Sequence, residues 1–250
     1  LISNALLVPL LPTFARLTAP DDRSALVARI RQGLMLSIAS MVPLGAIFVA
    51  LGAPIVALVY ERGAFDADAA SLVTGLLMAY GVGMPAYLAR DLLVRVFYAL
   101  GDGTTPFRLS AAGIGLNVVF DWLLVGGPTP WGAQLPFNFG APGLVLATVA
   151  INLLTCAALL LGLHFRLGGL PLKHWASDCI KVLVAGLAAG LVSWALSAIV
   201  IWPQDFLGLL IEVVISALSG LGVFVLISCS LGVAEVRELV QVLRYRISPR

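Results

Sequence analysis

PGLVLATVAINLLTCAALLLGL, residues 142–163, runs up to His164 without one charged side chain. As an α-helix rising ~1.5 Å per residue it reaches across the ~30 Å hydrocarbon core of a bilayer. Further apolar runs at 34–59, 71–89, 109–127, 179–201 and 206–231 repeat the pattern, so the sequence predicts six complete crossings. Residues 1–15, LISNALLVPLLPTFA, read as the end of a seventh. The chain opens mid-run with neither an initiator methionine nor a signal-peptide pattern, and is expected to be a piece of a longer protein. Of 250 residues, 60% are hydrophobic and 11% charged, against about 25% charged in soluble domains. With a mean hydropathy of +1.04, the expected fold class is all-α, a polytopic transmembrane helix bundle.

The basic residues set the orientation. Alternating the connections across the membrane puts Arg16, Arg23, Arg29, Arg31, Arg90, Arg95, Arg108, Arg166, Lys173, Lys181, Arg237, Arg244, Arg246 and Arg250 on one side, and Arg62 alone on the other. Under the positive-inside rule the segments 16–33, 90–108, 164–178 and the C-terminus are cytoplasmic. The chain is expected to be a multi-pass membrane protein, and the basic residues need no nucleic-acid partner. Trp131 and Trp202 fall in the outward connections, where interfacial tryptophans sit. Two cytoplasmic segments look amphipathic. Leu26, Val27, Ile30 and Leu34 share a face of a helix starting after Asp21 or Asp22, and Val236, Leu239, Val240, Leu243 and Ile247 form a stripe in the tail. Each either lies on the membrane or packs against neighbouring loops.

Few polar residues interrupt the spans. Glu212 stands six residues into the last one and could face a wet groove. Asn117 and Asp121 share a face of the 109–127 span at i, i+4 spacing, which suits a structural hydrogen bond. Asp91 with Arg95 and Asp178 with Lys181 read as boundary pairs that anchor spans. Gly186 with Gly190 and Ser216 with Gly220 are small residues at fourfold spacing, which lets helices approach closely. Pro43, Pro54 and Pro85 interrupt spans, either as bends lining a cavity or as kinks in a packed bundle. Cys156, Cys179 and Cys229 occur singly, and His164 and His174 lie ten apart, so neither a metal site nor a cofactor is expected. With no nucleotide-binding loop, GxSxG elbow, HExxH pair or cluster of loop carboxylates, the chain reads as a transporter rather than an enzyme.

Three connections narrow this further. LPTFAR at 11–16, YERGAF at 60–65 and above all FYALGDGTTPFR at 97–108 resemble the MurJ (MviN) family of lipid II flippases, and Asn117 and GAPGLVLATVAINLL at 140–154 continue the likeness in order and spacing. The resemblance covers nearly the whole chain and weakens after about residue 165. Asp121 and Gly103 depart from it, since relatives commonly carry asparagine at the first and a polar or charged residue at the second.

The resemblance implies a fourteen-helix protein of the multidrug/oligosaccharidyl-lipid/polysaccharide exporter fold. It implies that an undecaprenyl-pyrophosphate-linked peptidoglycan precursor, lipid II, is flipped to the outer leaflet by alternating access. On that register residues 1–163 hold the end of helix 8 and helices 9–12 of the C-terminal lobe, and 164–250 the final helix pair, 13–14, with its basic tail. The implied partners are lipid II, membrane lipids and the missing N-terminal half. Arg16 then matches a cavity cation assigned to the pyrophosphate and sugar headgroup, a role suited to a guanidinium fork. The last pair matches helices that form a groove for the polyprenyl tail, with Gly186, Gly190, Glu212, Ser216 and Gly220 as its candidate wall. The alternative is another exporter of the same superfamily, a polysaccharide-lipid flippase or an ion-coupled drug antiporter.

Overall fold

The computed structural model describes residues 22–60, 66–126, 137–203 and 205–237. Every regular element among them is helical: α1 Arg23–Ala50, α2 Gly52–Tyr60, α3 Ala67–Ala99, α4 Thr104–Val125, α5 Ala141–Arg166, α6 Leu172–Ile199 and α7 Phe206–Ser230. All but the nine-residue α2 are long and apolar enough to cross a membrane. The chain is thus an all-α polytopic membrane bundle, with six spans as expected from the apolar runs. Its surface agrees. Phe107 and Ile114 on α4 are each 71% exposed and Leu187 on α6 is 68% exposed, a pattern that is stable against lipid and would aggregate in water.

Local chemistry sets the ends. The Asp66 and Asp205 carboxylates accept from the backbone N–H of Ala69 (2.8 Å) and Gly208 (2.9 Å), satisfying first-turn donors of α3 and α7. Gly126 closes α4 in the left-handed region at φ 84°, its N–H bonding the Trp122 carbonyl.

Two expectations change at α1. The run 34–59 is not one helix: α1 ends at Ala50 and α2 starts at Gly52. Pro54 has no N–H to offer the Ala50 carbonyl, so the ladder loses a bond there, although Leu51 and Ile55 still bond to Ile47 and Leu51. Nor is 23–34 a separate surface helix. It is the first part of α1, and Leu26, Ile30 and Leu34 are buried within the protein, with Val27 half-buried. Packing, not a membrane surface, accounts for that stripe. In the tail, Val236 is buried, while Leu239, Val240, Leu243 and Ile247 lie outside the described residues.

The described helices form two compact units, one from residues 22–38 and 83–173, the other from 39–82 and 174–237. In the first, Ile30, Met35, Leu92, Leu93, Phe97 and Leu159 are fully buried. α4 runs antiparallel to α5 there: a Cβ on Gly113 would stand 3.1 Å from Ile151, and one on Gly143 2.7 Å from the Leu124 carbonyl. In the second unit α2 packs on α7. α1 and α3 cross backbone to backbone, since a Cβ on Gly45 would collide with the Gly81 carbonyl oxygen and one on Gly81 would come within 2.7 Å of that of Gly45. Pro85 lacks the N–H that would have bonded Gly81, so the freed oxygen rests on the glycine opposite.

Candidate functional site

The expected headgroup cation, Arg16, lies outside the described residues. The five candidate groove residues are all placed, on two seams of the second unit. Gly186 and Gly190 lie against α1: a Cβ on Gly186 would collide with Val42 Cγ1, and one on Gly190 would stand 3.4 Å from the Ala46 Cβ. The partners advance together by four residues, so α1 and α6 run parallel and the small residues let their backbones close up.

The second seam joins α6 to α7. The Ser193 hydroxyl donates to the Ser216 carbonyl (2.9 Å), the Ser197 hydroxyl donates to Glu212 Oε1 (2.5 Å), and a Cβ on Gly220 would stand 2.9 Å from the Ala189 carbonyl. Partner numbers step by four in opposite directions, as an antiparallel hairpin requires. Glu212 is 7% exposed and Ser216 fully buried. The hydrogen bond gives the buried carboxylate a partner where water is scarce. All five candidates therefore sit between helices, while Leu187, Leu191 and Trp194 of α6 and Ile211, Ile215 and Leu218 of α7 are exposed.

The most elaborate polar cluster of the first unit lies in the connection between α3 and α4. Asp102 accepts from the Thr105 N–H (3.0 Å), the Thr105 hydroxyl (2.8 Å) and the Thr104 hydroxyl (3.0 Å), and pairs with Arg166 at 2.7 Å. Arg166 also donates to the Leu100 carbonyl at 3.2 Å, so the end of α5 grips the turn at two points. Gly101 makes that turn at φ 73°, a region favouring glycine. The carboxyl of Asp102 is lowered from 3.8 to about 2, chiefly by the Thr105 N–H and hydroxyl, then by Thr104 and Arg166. The most specific motif, GDGTTP, is thus an N-terminal cap for α4 locked to α5. The motif is visible in the sequence, whereas its partner Arg166, 64 residues away, carries no sequence signal beyond a topology cation.

The remaining polar pairs are where spacing put them. Asn117 donates to Asp121 at 2.8 Å, Arg95 pairs with Asp91 at 3.2 Å, and Asp178 meets Lys181 at 2.9 Å. Arg90, expected only at a boundary, donates to Ser110 of α4 at 3.2 Å. No group of three or more metal-ligating side chains occurs among the described residues.

Comparison with known proteins follows the fold. A family model described as "Lipid II flippase MurJ" matches residues 1–214. A probable lipid II flippase MurJ of Synechocystis sp. is 47% identical over 204 residues, covering 82% of this chain and 36% of that protein. A probable multidrug resistance protein NorM of Pasteurella multocida is 28% identical over 160 residues, 62% of this chain and 32% of its own length. Among solved structures, a lipid II flippase MurJ in an inward closed conformation superimposes with a TM-score of 0.60 at 20% identity, over 96% of this chain and 43% of that one. The chain thus spans about a third of the length of the curated relatives it matches.

Proposed function

The chain belongs to the lipid II flippase MurJ family, and on that premise we propose that it serves to move lipid II, a polyprenyl-pyrophosphate-linked peptidoglycan precursor, from the inner to the outer leaflet of the bacterial inner membrane. The observation that carries the proposal is the family match over residues 1–214, which runs through five of the six spans and into α7. The activity is transport by alternating access, without covalent chemistry.

Arg16 binds the pyrophosphate of the headgroup, where a guanidinium fork supplies two parallel bonds. The polyprenyl tail lies along the final pair, α6 and α7. Gly186 and Gly190 hold α6 against α1, Glu212, Ser216 and Gly220 hold α7 against α6, and the exposed apolar side chains beside them meet the tail. The basic connections and the C-terminus face the cytoplasm. Purified protein reconstituted into liposomes with fluorescent lipid II should bring the lipid to the leaflet where an added enzyme modifies it. Modification no faster than in protein-free liposomes would overturn the reading.

The likeness to NorM favours a second reading, ion-coupled drug antiport, but at lower identity and coverage. Under that reading an imposed proton or sodium gradient would drive drug efflux from the same liposomes with lipid II left in place.

A further inference from the structure

Glu212 is buried where its own unit offers no cation to meet it. The described basic side chains of the second unit are His174, Lys181 and Arg237, all toward the far end of the α6–α7 hairpin. Along α6 the nearest of them, Lys181, is separated from Ser197 by ~24 Å of helix and already pairs with Asp178. The Ser197 hydroxyl donates to Glu212 Oε1, but one neutral donor leaves most of a carboxylate's charge uncompensated within a span. A second hydroxyl stands beside it. Ser216 is fully buried, and its Oγ has no hydrogen-bond partner among the described residues, although its carbonyl is taken by Ser193. Side chains tilt toward the N-terminus of their own helix, so in this antiparallel pair Ser216 leans toward the turn of Glu212 while Ser197 leans toward the turn of Ser193. Both hydroxyls thus converge with the carboxylate on the space between the two hydrogen-bonded levels of the seam. A buried hydroxyl left without a partner marks a place where a ligand or water belongs.

We propose that Glu212, Ser197 and Ser216 bind a sodium ion in the α6–α7 seam. All three donors are oxygens, which suit a hard cation rather than a transition metal. The single carboxylate balances one positive charge, where a divalent ion is held by more carboxylates or by a larger oxygen cage. One turn away the seam is tight, a Cβ on Gly220 standing 2.9 Å from the Ala189 carbonyl, which favours sodium over the larger potassium. The ion supplies the missing countercharge and gives the Ser216 hydroxyl a partner. Glu212 lies one to two turns from the start of α7 at Phe206, ~9 Å along the axis, so the ion enters from the end where α6 turns into α7. The site holds whatever the protein transports and does not rest on the flippase reading.

The test melts purified full-length protein in sodium, potassium or N-methylglucamine chloride at equal ionic strength and measures equilibrium binding of radioactive sodium. Sodium alone should raise the melting temperature, by about 3 °C at saturation, and should bind saturably. Glu212→Gln keeps the shape and an acceptor for Ser197 but removes the charge, so it should abolish both effects at near-normal abundance. Ser216→Ala deletes the hydroxyl that has no protein partner, and should weaken sodium binding about tenfold without lowering the melting temperature in N-methylglucamine. Equal shifts in potassium and sodium, no shift in either, or a sodium response undiminished in Glu212→Gln would overturn the site. Should Glu212→Gln fail to accumulate, Ser216→Ala decides: a tenfold loss of sodium affinity upholds the proposal, and an unchanged affinity overturns it.

Discussion

At Gly186 a larger side chain has nowhere to go, because even a Cβ would collide with Val42 on α1. Gly186→Leu should therefore lower stability by about 1 to 3 kcal/mol through overpacking, seen as reduced membrane abundance and a lower melting temperature in detergent. Normal abundance with impaired transport would instead place this residue at an open groove. Arg16 predicts the reverse pattern: Arg16→Ala should abolish complementation of flippase loss at near-normal abundance, and Arg16→Lys should restore it only partly, since lysine keeps the charge but loses the planar fork. Normal growth with alanine would reduce Arg16 to an anchor. These residues also mark how far single positions could be read. Small residues at fourfold spacing announce that something packs closely, yet the spacing is the same whether the neighbour is a helix or a lipid tail. Only the position of Val42 and Ala46 tells them apart, and those two residues lie some 140 positions away in the chain.

Among elements, crossings were easier to foresee than their ends. Apolar length determines a span because the bilayer sets it, so all six long helices stand where the runs lie. Hydropathy says nothing of where a helix continues beyond the bilayer, which is why α3 extends ten residues past the run that ends at 89 and α1 begins eleven before Leu34. The α6–α7 register was open to reading, since Ser193 and Ser197 on one side of a short turn mirror Ser216 and Glu212 on the other. The α3–α4 connection supports a prediction about pH. Its Asp102 titrates at about 2 in the folded protein, below its ordinary 3.8, so the carboxylate favours folding. That contribution is complete above about pH 4 and disappears as pH falls through about 2. Asp102→Asn should thus lower the melting temperature at neutral pH, and the gap to wild type should close on acidification across that window. A gap that persists unchanged at pH 2 would mean that the charge of Asp102 does not hold the turn.

For the whole molecule, the directions of the helices constrain one another. Within the second unit α1 runs parallel to α6 and antiparallel to α3, and α6 runs antiparallel to α7; within the first, α4 opposes α5. Each relation is the one that six successive crossings demand. Relative direction leaves the absolute sense open, because inverting the whole bundle preserves every contact. The expected charge distribution breaks that symmetry: alternating the connections across the membrane puts fourteen of fifteen basic residues on one side, and moving them across a bilayer during insertion is strongly disfavoured. Single cysteines at Asp66 or Gln134 should therefore react in intact cells with an impermeant thiol reagent added outside, whereas one at Gly103 should react only after the membrane is opened. The native Cys156, Cys179 and Cys229 must be replaced first, and as half-buried residues on α5, α6 and α7 they make serine or alanine reasonable substitutes. Gly103 is the decisive position. It is exposed, and it adjoins the Asp102–Arg166 tie, so the modified side belongs to the same turn that holds α4 against α5. Labelling of position 103 from outside, with 66 and 134 protected, would invert the bundle, place the basic connections in the periplasm, and remove the ground for a cytoplasmic Arg16 waiting on the inner leaflet for its lipid.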